Sequence, residues 1–123
     1  MKPLTASSAS ALLERIDFAK DGELRSVTMN SPTTFSLRLS VQDVSRGYDW
    51  IDLVFEVSGV SDARLLEDTQ LKMVDMSEGV SVVIENGSAA LGIGDYASLE
   101  NITNAPLYLR GSSIKFEEAP FSG

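Results

Sequence analysis

Apolar and polar residues alternate in two segments near the middle of the chain. Every odd position is apolar in the segment 34–41 and again in the segment 51–57, and most even positions are polar. A period of two is typical of half-buried β-strands. The connector Gln42–Asp49 contains Gly47 and is short, so the two strands are predicted to be antiparallel neighbours.

A second strand pair is predicted by turn chemistry and hydrophobic pattern together. Asn86-Gly87 is the preferred dipeptide of a type I′ turn, in which both residues need positive φ. A hairpin closed by this turn brings six apolar residues onto one face, which fixes its register. The expected pairs are Ile84 with Ala89, Val82 with Leu91, and Val80 with Ile93.

The remaining segments are less regular. Alternating apolar residues on both sides of Gly111-Ser112 predict a third hairpin over 107–117. The segment 10–20 fits either a strand and turn or a helix, and the segment 62–75 fits either a short helix that begins after Ser61 or an irregular strand. We therefore predict a single mainly β domain over residues 1–123, an antiparallel two-layer sandwich or strongly curved sheet. It has about seven to eight short strands, with room for one short helix.

Composition removes several kinds of chemistry. The chain has 123 residues, no cysteine and no histidine. Disulfides, thiolate and imidazole metal ligands, and Ser-His or Cys-His nucleophilic pairs are therefore excluded. We predict no catalytic residue, no cofactor and no metal site.

The charge is strongly acidic and unevenly distributed. The net charge is −8, and residues 41–100 carry twelve acidic residues against three basic ones. Nucleic acid and anionic membranes are poor partners for such a chain, whereas a basic protein is a suitable one. No apolar run has the length of a membrane helix or a signal peptide, so we expect a cytoplasmic protein.

One strand face combines aromatic and acidic residues. Tyr48, Trp50, Asp52 and Glu56 share a face of the strand 51–57, opposite its apolar face. Trp and Tyr give large contact areas, and carboxylates beside them can meet Lys or Arg of a partner, so these four residues are the predicted partner-binding site. The alternative is that Trp50 and Val54 lie beneath a covering helix, with Asp52 and Glu56 at its margin.

Other motifs have simpler interpretations. Gly92-Ile93-Gly94 lacks the remaining residues of a nucleotide-binding loop, so the glycines are interpreted as structural. Glu117 and Glu118 are adjacent on a strand and should point to opposite faces. Calcium binding by Asp43, Asp49 and Asp52 lacks the spacing of a calcium loop. A carboxylate-dependent hydrolase or a small-ligand-binding β-domain, with its site at the mouth of the sandwich, is the alternative function.

The segment 49–66, followed by Leu107-Tyr108-Leu109 and residues 113–118, resembles small uncharacterised bacterial all-β proteins. Some similar families are regarded as immunity proteins of polymorphic toxin systems. The resemblance rests on sequence segments with the pattern of β-strands and identifies no catalytic residue. Our prediction from the sequence is a non-enzymatic protein-binding domain, and the resemblance implies an immunity-type inhibitor whose acidic interaction face covers a basic toxin surface.

Overall fold

Two antiparallel sheets contain most of the chain in the computed structural model, which describes all 123 residues. The first sheet has the strand order β1-β9-β4-β3-β2, and the second has the order β5-β8-β7-β6. The strands are β1 (Lys2–Pro3), β2 (Glu23–Ser31), β3 (Thr34–Asp43), β4 (Asp49–Ser58), β5 (Asp62–Arg64), β6 (Val80–Glu85), β7 (Ser88–Ile93), β8 (Tyr108–Gly111) and β9 (Ser113–Ala119). The helices are α1 (Ala6–Arg15) and α2 (Asp68–Leu71), with short 3₁₀ turns at Val44–Arg46 and Asn101–Asn104.

The predicted mainly β fold is confirmed. Nine strands form two antiparallel layers, consistent with a sandwich, and only α1 is longer than two helical turns. A cluster of 24 buried apolar residues fills the space between the sheets and under α1. Leu39, Leu53 and Phe55 of the first sheet and Leu91 and Leu109 of the second are completely buried there.

The predicted antiparallel neighbours and the predicted register of the Asn86-Gly87 hairpin are both confirmed. Strands β3 and β4 are antiparallel neighbours over their whole length, from Thr34 opposite Ser58 to Asp43 opposite Asp49. The Asn86-Gly87 hairpin joins β6 and β7 with the expected pairs. Asn86 and Gly87 have φ values of 50° and 75°, as a type I′ turn requires.

The third predicted hairpin is wrong. Strand β8 pairs with β7 and β5, whereas β9 pairs with β4 and β1, so the chain changes sheets at Gly111-Ser112. A Cβ on Gly111 would lie 2.5 Å from the Ser58 carbonyl oxygen, so only glycine fits this crossing. Both strands turn their apolar residues toward the shared core, and the same alternation therefore fits a hairpin and a change of sheet equally well.

The N-terminal segment is helical, so the strand interpretation of residues 10–20 is wrong. Thr5 caps α1 with a capping box, in which the Ser8 amide donates to Thr5 Oγ1 at 3.2 Å and the Thr5 amide donates to Ser8 Oγ at 2.8 Å. Ala9, Leu12 and Leu13 form the buried face, and Ile16 continues it one turn later. This helical spacing outweighed the short alternation at Ile16 and Phe18. In the other ambiguous segment, the residues directly after Ser61 form the three-residue strand β5, so the helix predicted to begin there is wrong, and the one-turn helix α2 begins only at Asp68.

Candidate functional site

The four predicted partner-binding residues do not form one exposed surface. Trp50 is 37% exposed, but Asp52 is completely buried on the same outer face of the first sheet. Tyr48 is 57% exposed but precedes β4 and has a φ of 68°, so the predicted placement of Tyr48 on this strand face is wrong. Glu56 is half-buried and lies between Ser36 of β3 and Lys115 of β9 in the strand register. Partner binding by these residues stays a prediction, and Asp52 is not accessible to a partner in this conformation.

The C-terminal residues cover Asp52, and the predicted covering helix does not exist. The ring of Phe121 lies 5.7 Å from the ring of Trp50, and the Arg25 guanidinium lies over the other side of the patch, 5.6 Å from the Phe121 centroid. Trp50 and Phe121 form an aromatic patch that remains partly exposed. The outer face is therefore covered by the chain's own residues 120–122 and not by a separate element.

Asp52 is surrounded by polar partners on this face. Ser40 Oγ donates to Asp52 Oδ1 at 2.5 Å, and Arg38 Nε donates to Oδ2 at 2.7 Å. Arg25 Nε in turn donates to Ser40 Oγ at 2.7 Å. Burial alone would raise the pKa of Asp52, but hydrogen bonds from Ser40, Ser122 and Arg38 outweigh it and hold that pKa below its ordinary value. Asp52 is thus an ionised carboxylate neutralised by Arg38, whose Nη2 also donates to the Pro120 carbonyl at 3.5 Å.

A second group of charges closes the end of the sandwich beside α1. Arg15 donates to Asp43 from Nε at 3.1 Å and from Nη2 at 2.6 Å, and its Nη1 lies 2.5 Å from Glu118. Arg46 lies 3.4 Å from Asp43 and 3.3 Å from Glu118, and Ser45 donates to Asp43 through its amide and its hydroxyl. The pairing with Arg15 lowers the pKa of both carboxyl groups. These contacts join α1, β3 and β9, so we assign the group a structural role.

The glycines of the Gly92-Ile93-Gly94 motif also have structural roles. A Cβ on Gly92 would lie 2.5 Å from Cγ1 of Ile102, so this glycine lets the 3₁₀ turn Asn101–Asn104 pack on β7. Gly94 has a φ of 120°. Glu117 and Glu118 lie on opposite faces of β9, as expected. No group of three or more carboxylates is arranged to hold a metal ion.

Most of the acidic residues that form no ion pair lie in another part of the molecule, eight of them in the segment 60–112 against six elsewhere. All six ion pairs fall within residues 1–59 and 113–123. The segment 60–112 has eight acidic and three basic residues, none of them in an ion pair, and all eight carboxylates are exposed. Sequence reasoning located the acidic excess correctly in the chain but assigned it to a strand face whose carboxylates face cationic side chains.

A groove of about 580 Å³ lies beside β6. Val80, Ser81 and Val82 line it, together with Leu13, Phe18, Asp95 and Tyr96. Two further charges, Lys20 and Glu78, lie at its rim. Ser81 Oγ is already engaged, because it donates to the Gly94 carbonyl at 2.6 Å and accepts from the Tyr96 amide at 2.8 Å.

The wall of this groove contains an unusual backbone turn. Asp17, Phe18 and Ala19 have φ values of 50°, 57° and 58°, three consecutive left-handed residues that are not glycine. Each costs about 1–2 kcal/mol, so such runs persist only where the surroundings enforce them, and they concentrate at functional sites. Gly79 packs directly against the Phe18 carbonyl and holds the turn in place. The turn leaves the Phe18 ring 39% exposed beside the groove.

Comparisons with protein-family models, with curated proteins and with solved structures gave no match. None of the helices has the length and apolar composition needed to cross a membrane.

Proposed function

We propose that this chain is a non-enzymatic protein-binding domain that binds a basic partner. The observation that carries the proposal is the set of eight exposed carboxylates in the segment 60–112, none of which is neutralised by an ion pair. Unpaired surface charge of one sign steers a counter-charged protein and raises its association rate by about 10–10³-fold. Carboxylates elsewhere in the chain that are neutralised by arginines contribute much less to the electrostatic field that attracts a basic partner.

The more specific proposal is an immunity-type inhibitor of a basic toxin, to which the resemblance of the segment 49–66 points. A partner of this kind is first sought as the product of the neighbouring gene, purified and mixed with this protein. The association rate constant is measured at low and at physiological ionic strength. We expect it to fall steeply with salt, and an association rate that salt does not change contradicts the proposal.

Matched variants separate the acidic segment from the predicted strand face. Glu78→Gln combined with Glu85→Gln removes two charges from the segment 60–112, and Glu56→Gln combined with Glu117→Gln removes two charges, likewise in no ion pair, from the outer face of the first sheet. Both pairs change the net charge equally. We expect the first pair to slow association by more than the second. Trp50→Ala tests the aromatic patch separately, since a central anchor costs about 2 kcal/mol or more when it is truncated.

The alternative function, a carboxylate-dependent hydrolase or small-ligand binder, is supported by one observation. Glu78 and Asp95 both border the groove beside β6. A ligand of that groove should not bind to the Glu78→Gln and Asp95→Asn variants and should still bind to Glu117→Gln. Screening a set of small cationic and neutral compounds by thermal shift, with these three variants, distinguishes this function from protein binding.

A further inference from the structure

Strand β6 ends the second sheet with unused hydrogen-bonding groups. It pairs only with β7, and the Gly94 amide donates to the Gly79 carbonyl at 2.8 Å just beyond the hairpin ladder. In an antiparallel ladder this places the odd-numbered residues of β6 in hydrogen-bonded pairs with β7. The N–H and C=O groups of Val80, Val82 and Ile84 therefore point to the free edge.

The other sheet edges carry protective features in their own residues, whereas β6, which contacts α1 and the turn at 17–19, carries none. Strand β2 is interrupted by two register shifts, β5 has three residues that include Asp62 and Arg64, and β1 has two residues, Lys2 and Pro3. Short length, bulges, charges and proline are the devices that keep edge strands from pairing with other chains. Strand β6 has six residues in continuous register and only one charge, at Glu85. An unprotected edge in a chain that protects its other edges indicates that this edge is used.

The groove follows this edge. It is lined by Val80 and Val82 from the core-facing side of β6 and by Ser81 from the other side, but by no residue of β7. A groove that contacts both faces of one strand and misses its only neighbour must open along the free edge. Leu13, Phe18 and Tyr96 also line the groove and would contact an added strand. Val82 and Ile84 are only half-buried, so an added strand would complete their burial.

The charges around the edge define the occupant. Glu78 and Asp95 lie at one end of β6 and Glu85 lies at the other, against the single cation Lys20. We propose that β6 binds an extended segment of a partner protein as an additional strand of the second sheet, a segment with alternating apolar residues and Lys or Arg near its ends. This inference rests on the proposed protein-binding function and adds the mode of binding: main-chain hydrogen bonds supply affinity and the flanking carboxylates supply selectivity.

The probe for this site is the synthetic peptide Lys-Lys-Val-Thr-Val-Thr-Val-Lys-Lys, titrated into the isotope-labelled full chain. We expect chemical-shift changes along β6, and slower amide exchange at Val82 and Ile84. At about ten times the dissociation constant the exchange of these two amides should slow by about tenfold. Shift changes concentrated at Trp50 and Phe121 would overturn the proposal.

Peptide variants test the hydrogen bonds without altering the protein. One version is N-methylated at its valines and another at its threonines. Alternate amides of a strand point to opposite edges, so one version should lose binding at least tenfold and the other should retain it. Equal binding of both versions overturns strand addition. A version with Glu in place of Lys should bind at least tenfold more weakly.

Protein variants complete the test. Val82→Pro removes an N–H that faces the free edge and leaves the ladder to β7 intact, so it should fold and lose the peptide. Trp50 fluorescence reports whether it has folded, and the N-methylated peptides decide the question on the wild-type chain if it has not. Asp95→Asn should weaken binding of the peptide, whereas Glu117→Gln on the other sheet should not.

Two results would reject this inference in different ways. Concentration-dependent protection of the Val82 amide without peptide would assign the edge to a second copy of this chain. No peptide binding, together with salt-sensitive binding of the neighbouring gene product, would reject strand addition of this segment and retain the proposed function.

Discussion

The charged group beside α1 allows a quantitative test of how this sandwich is held closed. Asp43 is completely buried and accepts hydrogen bonds from Arg15 and from the amide and hydroxyl of Ser45. Removing one member of a buried ion pair costs about 3–5 kcal/mol. Here Arg15 and Arg46 keep 28% and 55% of their side-chain surface exposed, and Arg15 retains Glu118. We therefore expect Asp43→Asn to lower the free energy of unfolding by about 2–3 kcal/mol, since hydrogen bonds to charged groups contribute about 1.5–3 kcal/mol.

The assay is chemical and thermal denaturation of wild type and variant. For a chain of this length, 1 kcal/mol corresponds to about 4 °C in the melting temperature, so the expected decrease is about 8–12 °C. The matched control is Asp49→Asn, which removes an exposed carboxylate directly opposite Asp43 in the register. The control should change stability by less than about 0.5 kcal/mol. Equal losses in the two variants would refute the assignment.

The pH dependence of stability shows whether the charge of Asp43 or the packing of its side chain causes the loss in the Asp43→Asn variant. The hydrogen bonds from Arg15 hold the pKa of Asp43 well below its ordinary value. Because the pKa is lower in the folded state than the unfolded value of about 3.9, the stabilisation is complete at neutral pH and is lost as the pH falls. The stability difference between wild type and Asp43→Asn should therefore shrink as the pH falls from about 5 to about 2. A difference that stays constant over this range would show that the ion pair is not its origin.

Two further perturbations test other parts of the structure. Gly79→Ala places a Cβ 1.9 Å from the Phe18 carbonyl oxygen, whereas Gly47→Ala, with a similar positive φ, meets no atom within 4 Å. Urea denaturation should show a loss of about 1–2 kcal/mol for Gly47→Ala and at least 2 kcal/mol more for Gly79→Ala. Phe121→Ala uncovers Trp50, the only tryptophan, so its emission should shift to the red and acrylamide quenching should increase. Unchanged emission would mean that the C-terminal residues do not cover the sheet in solution.

Local patterns predicted the elements of this fold but not their partners. The period of two identified β3, β4, β6 and β7, and the Asn86-Gly87 turn also fixed a register. The same period around Gly111 predicted a hairpin, because alternation reports which side of a strand faces the core and not which sheet contains the strand. Sheet membership depends on contacts such as Gly111 with Ser58, which are distant in sequence. The left-handed turn at 17–19 has no local signal, because no residue in it is glycine or asparagine.

The charge of the candidate site, like the partners of the strands, could not be predicted from local sequence. Asp52 and Glu56 belong to the acidic stretch of the chain, but neighbouring strands place Arg38 against the first and Lys115 opposite the second. A window of sequence sums the charges of consecutive residues, whereas a sheet face combines alternate residues of strands that are far apart in the chain. Acidity along the sequence therefore becomes acidity at a surface only where no cation arrives from another strand. In this fold Asp62 lies opposite Arg110 in the strand register, but the condition is met by other carboxylates of the segment 60–112, including those at both ends of the free edge of β6.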